Sequence, residues 1–150
     1  MSTVQPAAIA AALRAAASSE ERPFWVDAFG SSMGRTIVPG SEVQIVAGDR
    51  PAWGTVWAYC DATGGIVVHR CLARRGSRFV FQGDGRGHPD PTVTADVLIG
   101  RVVAARPPEG PTRVFAGRDR FTRGVVRRLA WEARRLRRRL ARVAGGRRPR

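Results

Sequence analysis

The chain has no lysine: all 26 of its basic residues are arginine. Arginine stays protonated in proteins, so any mechanism that needs a lysine base is excluded. Histidine is nearly as scarce, with only His69 and His88, so proton transfer near neutral pH would fall to one of these two. Cysteine is scarce as well, and Cys60 and Cys71 permit at most one intrachain disulfide. A hairpin turning at residues 61–65 would set Cys60 opposite Ile66 and Cys71 opposite Thr55. The two sulfurs would then lie far apart along the ladder, so free, partly buried thiols are expected. They suit a reducing compartment. Long apolar runs are also missing. The longest weakly apolar stretch, Pro6 to Leu13, is interrupted by Arg14 and is too short and alanine-rich to span a bilayer. It has no basic segment before it, so a cleaved signal peptide is not expected. The expected localisation is cytoplasmic, with peripheral contact at a membrane left open.

What is present suits one mostly-β domain. In a chain of 150 residues, 17 Gly and 10 Pro punctuate a composition that is 43% hydrophobic, a pattern of short strands and many turns. The pattern predicts an Ala-rich helix over about residues 4–18 with Pro6 in its first turn. Strands are predicted over Phe24 to Ala28, Val43 to Ala47, Thr55 to Cys60, Ile66 to Leu72, Arg78 to Phe81 and Val97 to Ala105. Short strands at this spacing argue a β-sheet or barrel core. The boundaries read as helix and linker over 1–22, a β domain over 23–106, a Pro/Gly-rich connector over 107–118 and a basic helix and tail over 119–150.

Charge is segregated. Residues 1–112 hold 11 Arg against 10 Asp and Glu, a net of +1. Residues 113–150 hold 15 Arg against Asp119 and Glu132, a net of +13. The nearly neutral body is therefore distinct from a strongly basic arm.

Three short motifs follow one another along the body. They are Gly30-Ser31-Ser32-Met33, then Val67-Val68-His69-Arg70, then Gly83-Asp84 with Asp90 six residues on. Together they offer a nucleophile, a base and carboxylates to orient the base, the components of serine acyl transfer. Ser32 follows a strand and precedes a turn, so its hydroxyl can project from the sheet edge, and its own amide is the natural oxyanion donor. Gly30 and Ser31 keep bulk away from it. His69 lies in an apolar strand on the same face as Val67 and Cys71. Imidazole, with a reference pKa of about 6.5, suits a base at neutral pH. His88, in a Gly/Pro loop, is the rival. Asp84 sits in a tight turn and Asp90 in a stiff segment between two prolines, and both compete to orient the imidazole.

These motifs resemble those of the type I signal peptidases and the related LexA-type self-cleaving repressors. The family's first box reads roughly Gly-x-Ser-Met-x-Pro-Thr, and here it reads Gly30-Ser31-Ser32-Met33-Gly34-Arg35-Thr36. The branch with a histidine base has a Val-His-Arg strand, then Lys-Gly-Asp and a further Asp. This chain has Val68-His69-Arg70, Gln82-Gly83-Asp84 and Asp90, then Ile99-Gly100-Arg101-Val102-Val103 like the family's closing strand. The resemblance covers about Phe24 to Ala105. It departs at Arg35, where the family has Pro and which is expected to alter the floor of the cleft, at Ser41, and at Gln82.

The resemblance implies a small β-rich serine endopeptidase that cleaves a peptide or a signal- or leader-type segment. Ser32 would be the nucleophile, His69 the base, Asp90 its orienter and Asp84 a support of the loop. The substrate would be an extended peptide on a strand edge. Gly30, Met33 and Ile37 are candidate substrate contacts, while Phe24 and Phe29 read as plain core. No metal or other cofactor is expected. Two other readings share the fold: a non-catalytic peptide-binding or regulatory module, and a LexA-like self-cleaving regulator whose basic tail binds DNA. The lack of lysine speaks against the last.

The arm reads as a helix over about 119–144. At about 100° per residue, Val125, Leu129, Ala133, Leu136, Leu140 and Val143 form one stripe, with Trp131 and arginines on the opposite face. A narrow stripe suggests docking on the domain or on a partner protein. An anionic membrane surface is the second possibility, although a membrane helix would place Trp131 at the apolar edge. A solvated arm comes third. Nucleic acid is the least favoured, since no DNA-binding motif accompanies the arginines.

Overall fold

Alternating apolar residues bounded by Gly, Pro and Asp produce the expected sheet. In the computed structural model, which describes residues 5–19, 23–48, 50–115 and 129–138, the chain is mostly β. An antiparallel sheet curls into a half-barrel, accompanied by an N-terminal helix and a short C-terminal one. Helix α1 spans Pro6–Ala17, and the strands are β1 (Phe24–Ala28), β2 (Ser41–Val46), β3 (Val56–Cys60), β4 (Ile66–Arg75), β5 (Arg78–Gln82), β6 (Val93–Thr94), β7 (Leu98–Arg106) and β8 (Arg113–Val114). A 3₁₀ turn, Ala95–Val97, leads into β7. The second helix, α2, is described over residues 129–138. The rest of the predicted 119–144 helix lies outside the described residues.

Strand order is β1-β2-β7-β3-β4-β5-β6. The long β7 organises it: one edge pairs with β2, and the other pairs with β3 through its first half and with β8 through its second. The β3–β4 hairpin has the expected register, with Cys60 opposite Ile66 and Trp57 opposite His69. The Cys71 amide donates to the Thr55 carbonyl at 2.8 Å. Both cysteines are free and fully buried, deeper than expected. Burial pushes the Cys71 thiol up to about 12 and raises that of Cys60 as well.

Two two-residue strands were not predicted. One is β6. The other, β8, lies inside the stretch read as connector, two of whose residues, Arg113 and Val114, therefore belong to the sheet.

Both faces of the sheet are covered, and β3 is buried along its whole length. On one face α1 packs Ala10 and Ala17 against Val43, Ile45, Val56 and Val102. Pro6 starts α1 where its missing N–H costs nothing. Arg14 ties the helix to the sheet, its guanidinium donating to the carbonyls of Leu98 and Asp96. The other face holds Trp57, Tyr59, Cys71, Phe79 and Phe81. Among the described residues, no helix is long and apolar enough to cross a membrane.

The α2 helix docks, but not by the leucine stripe. Trp131, placed by the sequence on the arginine face, is only 8% exposed and packs on Leu72, Val80 and Ala73 of β4 and β5. Leu129 and Leu136 point away and are 64% and 59% exposed. A single indole is a large apolar body, able to bury about 150–250 Å² at one site. It also gains the Arg75 guanidinium, 4.8 Å from its ring centre, with Arg135 at 5.7 Å.

Trp131→Ala would uncover Leu72 and Val80. It is expected to lower stability by about 3 kcal/mol, the low end for a buried Trp. The check is a urea melt together with limited trypsin digestion, in which the 129–138 segment should be cut first. An unchanged midpoint and digestion pattern would mean that Trp131 does not hold the helix.

Candidate active site

The residues from Ser31 to Ile37 form a turn between β1 and β2. The Gly34 amide donates to the Ser31 carbonyl at 2.9 Å and the Thr36 amide to the Met33 carbonyl at 3.0 Å. Gly34 has φ of +55°, a conformation that favours glycine. This turn carries the Ser32 hydroxyl to β4, where His69 Nε2 lies 2.8 Å from Ser32 Oγ. On the far side of the same ring, His69 Nδ1 lies 2.5 Å from Asp90 Oδ2. An ionised carboxylate only accepts, so Nδ1 carries the ring proton and Nε2 is left to accept from the serine hydroxyl. Ser32, His69 and Asp90 thus form one continuous hydrogen-bonded chain.

Asp90 is held from several directions. Its backbone amide donates to the Phe81 carbonyl at 2.9 Å, which lays the Pro89–Pro91 segment beside β5. The Tyr59 hydroxyl donates to Asp90 Oδ2 at 2.9 Å. Burial, and then the Asp90 charge, raise the Tyr59 phenol far above its ordinary range, so it remains a donor at any working pH. Tyr59 was not singled out from the sequence. The signal was there: the hairpin register puts Tyr59 opposite Val67, on the same face as His69.

Asp84 does not touch His69. It takes a two-pronged ion pair from Arg70, with Nε at 2.9 Å and Nη2 at 2.6 Å, and a hydrogen bond from the Thr36 hydroxyl at 2.5 Å. Arg70 is 1% exposed, and its remaining arm donates to the Gly54 carbonyl at 2.7 Å. The Gly85 amide donates to the Ser32 carbonyl at 2.7 Å. The Gly83-Asp84-Gly85 turn thus grips the serine turn from below. Gly83 is required by proximity, since a Cβ there would sit 2.4 Å from the Ser32 carbonyl oxygen and 2.8 Å from His69 Nε2.

The serine opens into a cleft of about 600 Å³. One wall is the outer edge of β1, which pairs only with β2 among the described strands. The other is Ile66 to His69 of β4, because β5 pairs with β4 only from Arg70 onward. Two strand edges with free backbone groups therefore face each other across the cleft. The intervening β3–β4 turn is stiffened by Asp61, which accepts from the Thr63 hydroxyl and from the amides of Thr63 and Gly65. The Thr63 hydroxyl, first among these, holds the Asp61 carboxyl below its usual range.

Several expectations are corrected. Met33 and Ile37 line the cleft as expected, but both are also buried members of the core. Gly30 lines the cleft too, yet its backbone is not left-handed and a Cβ there would meet nothing within 4 Å, so the bend does not need it. Phe29 is not core: it stands 78% exposed at the cleft rim. Phe24 packs against the core as expected. Arg35 is not at the cleft floor but in a separate groove, where Arg113 Nη1 donates to its carbonyl at 3.1 Å. His88 is exposed, 3.3 Å from the Pro89 carbonyl and outside the chain of contacts. Among the described residues, no His, Cys, Asp and Glu grouping could hold a metal ion.

In comparisons with known proteins, no family model matches the chain and no curated protein matches it.

Two substitutions probe the supports of this site. Asp84→Ala would leave the Arg70 guanidinium buried without its carboxylate and should cost about 3–5 kcal/mol, measured by chemical denaturation. Gly83→Ala should lower stability by about 1–3 kcal/mol, because a backbone carbonyl has to move, and should push the serine turn away from the imidazole. Labelling of Ser32 by a fluorophosphonate should then slow about a hundredfold, the scale of a misplacement near 1 Å. Labelling at the wild-type rate would refute the close-approach argument.

Proposed function

We propose that the protein is a serine endopeptidase with a histidine base, similar to the signal-peptidase group that its motifs resemble. The observation that carries this reading is the unbroken Ser32–His69–Asp90 hydrogen-bond chain at the floor of an open cleft. Chains of this kind also occur as plain polar networks, but here the hydroxyl end faces a cleft rather than core.

In this mechanism, His69 Nε2 takes the Ser32 proton as Oγ bonds to the substrate carbonyl carbon. The carbonyl oxygen becomes an oxyanion, for which the Ser32 amide would serve as a backbone donor. The C–N bond then breaks, and His69 returns the proton to the leaving amine. Water then attacks the acyl carbon as the same nitrogen takes its proton, the bond to Oγ breaks, and His69 returns that proton to Ser32 Oγ. Asp90 stays ionised throughout and holds the ring in the productive tautomer, helped by the Tyr59 hydrogen bond.

A substrate peptide fits as an extended strand between the edges of β1 and β4, hydrogen-bonded through its main chain. Met33, Ile37 and Val68 would receive its apolar side chains.

Ser32→Ala should abolish both fluorophosphonate labelling and peptide cleavage with the fold intact. His69→Ala should lose nearly all turnover, and His88→Ala little. Activity should fall on acidification, because a protonated imidazole cannot accept the serine proton. With no lysine in the chain it should level off rather than climb on beyond about pH 9, as an amine base would make it. Equal cleavage by wild type and Ser32→Ala would sink the proposal.

A further inference from the structure

The cleft is unevenly charged along its length. Asp27 lines it from the β1 wall and Asp61 from the β3–β4 turn, and neither forms an ion pair among the described residues. Asp61 continues the alternation of Trp57 and Tyr59 along β3, so it falls on the face that His69 occupies. Its charge reaches Tyr59, whose phenol it helps to raise. The hydrogen bonds that stiffen its turn all end on Oδ1, which leaves Oδ2 for a ligand. Those bonds, the Thr63 hydroxyl first, hold the carboxyl below its ordinary range, so it is ionised at neutral pH. Arg86 lines the same cleft, but its backbone is held past His69. Its carbonyl accepts from Gln82 Nε2 at 2.6 Å, and Gln82 pairs with Arg70.

We infer that the cleft selects a peptide with a basic side chain about four residues from the scissile bond, and that Asp61 is the residue that reads it. The spacing follows from the hairpin. The Asp61 amide donates to the Gly65 carbonyl at 2.9 Å, and Gly65 lies four residues before His69. At about 3.3 Å per residue, that is about 13 Å of extended chain. A peptide laid along the free edge of β4 therefore reaches Asp61 at about its fourth residue from the carbonyl that Ser32 attacks. Asp27 adds a second negative charge from the β1 wall, and unpaired carboxylates in a cleft with low-dielectric walls attract a cation together. Arg86 repels the same side chain at the other end, so charge sets the register of the peptide as well as its affinity. This inference rests on the reading of the cleft as a peptide site and deepens it.

Binding is measured first, by fluorescence anisotropy, on the full chain carrying Ser32→Ala. The probes are fluorescein-labelled decapeptides of Ala, Val and Thr with one central Arg, or with Gln or Glu in its place. The Arg peptide is expected to bind about fivefold tighter than the Gln peptide, the top of the range for a partly exposed ion pair, and the Glu peptide weakest. The preference should shrink as salt is raised to about 1 M. Asp61→Asn keeps an Oδ1 acceptor for the turn and removes the charge. Its circular dichroism should match the parent while the ratio of Arg to Gln binding falls to near one. Asp27→Asn, which disturbs no turn, should lower the ratio in part. Equal binding of the three peptides, or a ratio that Asp61→Asn leaves intact, would overturn the inference. Cleavage by the wild type is then mapped by mass spectrometry. A cut about four residues from the Arg is expected, and a cut beside it would overturn the inference as well. Preferential binding without Ser32-dependent cleavage would defeat the peptidase reading and leave the charge selection standing.

Discussion

The buried pair of Arg70 and Asp84 is the interaction on which the geometry of the site rests. Successive residues of a strand point to opposite faces, so β4 presents His69 to one side and Arg70 to the other. His69 meets the serine hydroxyl. Arg70 reaches around through Asp84 to Thr36, in the same turn that carries the serine. Both ends of the Ser32–His69 contact are therefore fixed from one strand, one directly and one through an ion pair. Desolvating a guanidinium and a carboxylate is expensive, and such a pair is tolerated only when the remaining donors and acceptors are also engaged. Here the carboxylate takes two guanidinium nitrogens and a hydroxyl, and the guanidinium's other arm finds the Gly54 carbonyl. The pair is weak as a source of stability and strong as a specifier of position.

An arginine-only chain suits that role. A guanidinium remains charged when buried and presents a planar fork that matches a carboxylate, whereas a buried ammonium sheds its proton more readily. The same composition leaves the chain without an amine base. Among the described residues, the Ser32 hydroxyl meets the imidazole nitrogen at 2.8 Å.

Most of the sheet was legible because its strands alternate or run apolar between strong turn residues. The β3–β4 hairpin is the clearest instance. Asp61 and Gly64-Gly65 mark the turn, and once it is placed, Cys60 opposite Ile66 and Trp57 opposite His69 follow by counting. The strands β6 and β8 escaped because two residues carry no periodicity, and their pairing comes from long-range contact with β5 and β7. Within the site, Ser32, His69, Asp90 and Asp84 each stood in a short motif. Tyr59 did not, and its part emerges only when register is combined with the loop that returns Asp90 to the sheet. Phe29 was misjudged for the opposite reason. Apolar character gives no direction, and at the end of an edge strand an aromatic can as well face a cleft as a core.

The basic arm was the segment where periodicity misled most. A hydrophobic stripe ranks residues by angle and says nothing of which face has a complementary surface waiting. Leu72 and Val80 form a small apolar patch on β4 and β5, and the residue that covers it is the indole of Trp131, not Leu129 or Leu136, which lie two turns apart on the other side of the helix. The arm is also tied at a second point. Arg113, the first residue of the basic segment, belongs to β8, and its side chain donates to the carbonyls of Arg35 and Thr36, the latter at 3.3 Å. Thr36 is the residue whose hydroxyl meets Asp84. The segment that carries nearly all the net charge thus begins as a brace on the serine turn and is fastened again at Trp131. The basic arm and the Ser32–His69–Asp90 cluster are segregated along the sequence but joined through the backbone of residues 35–36.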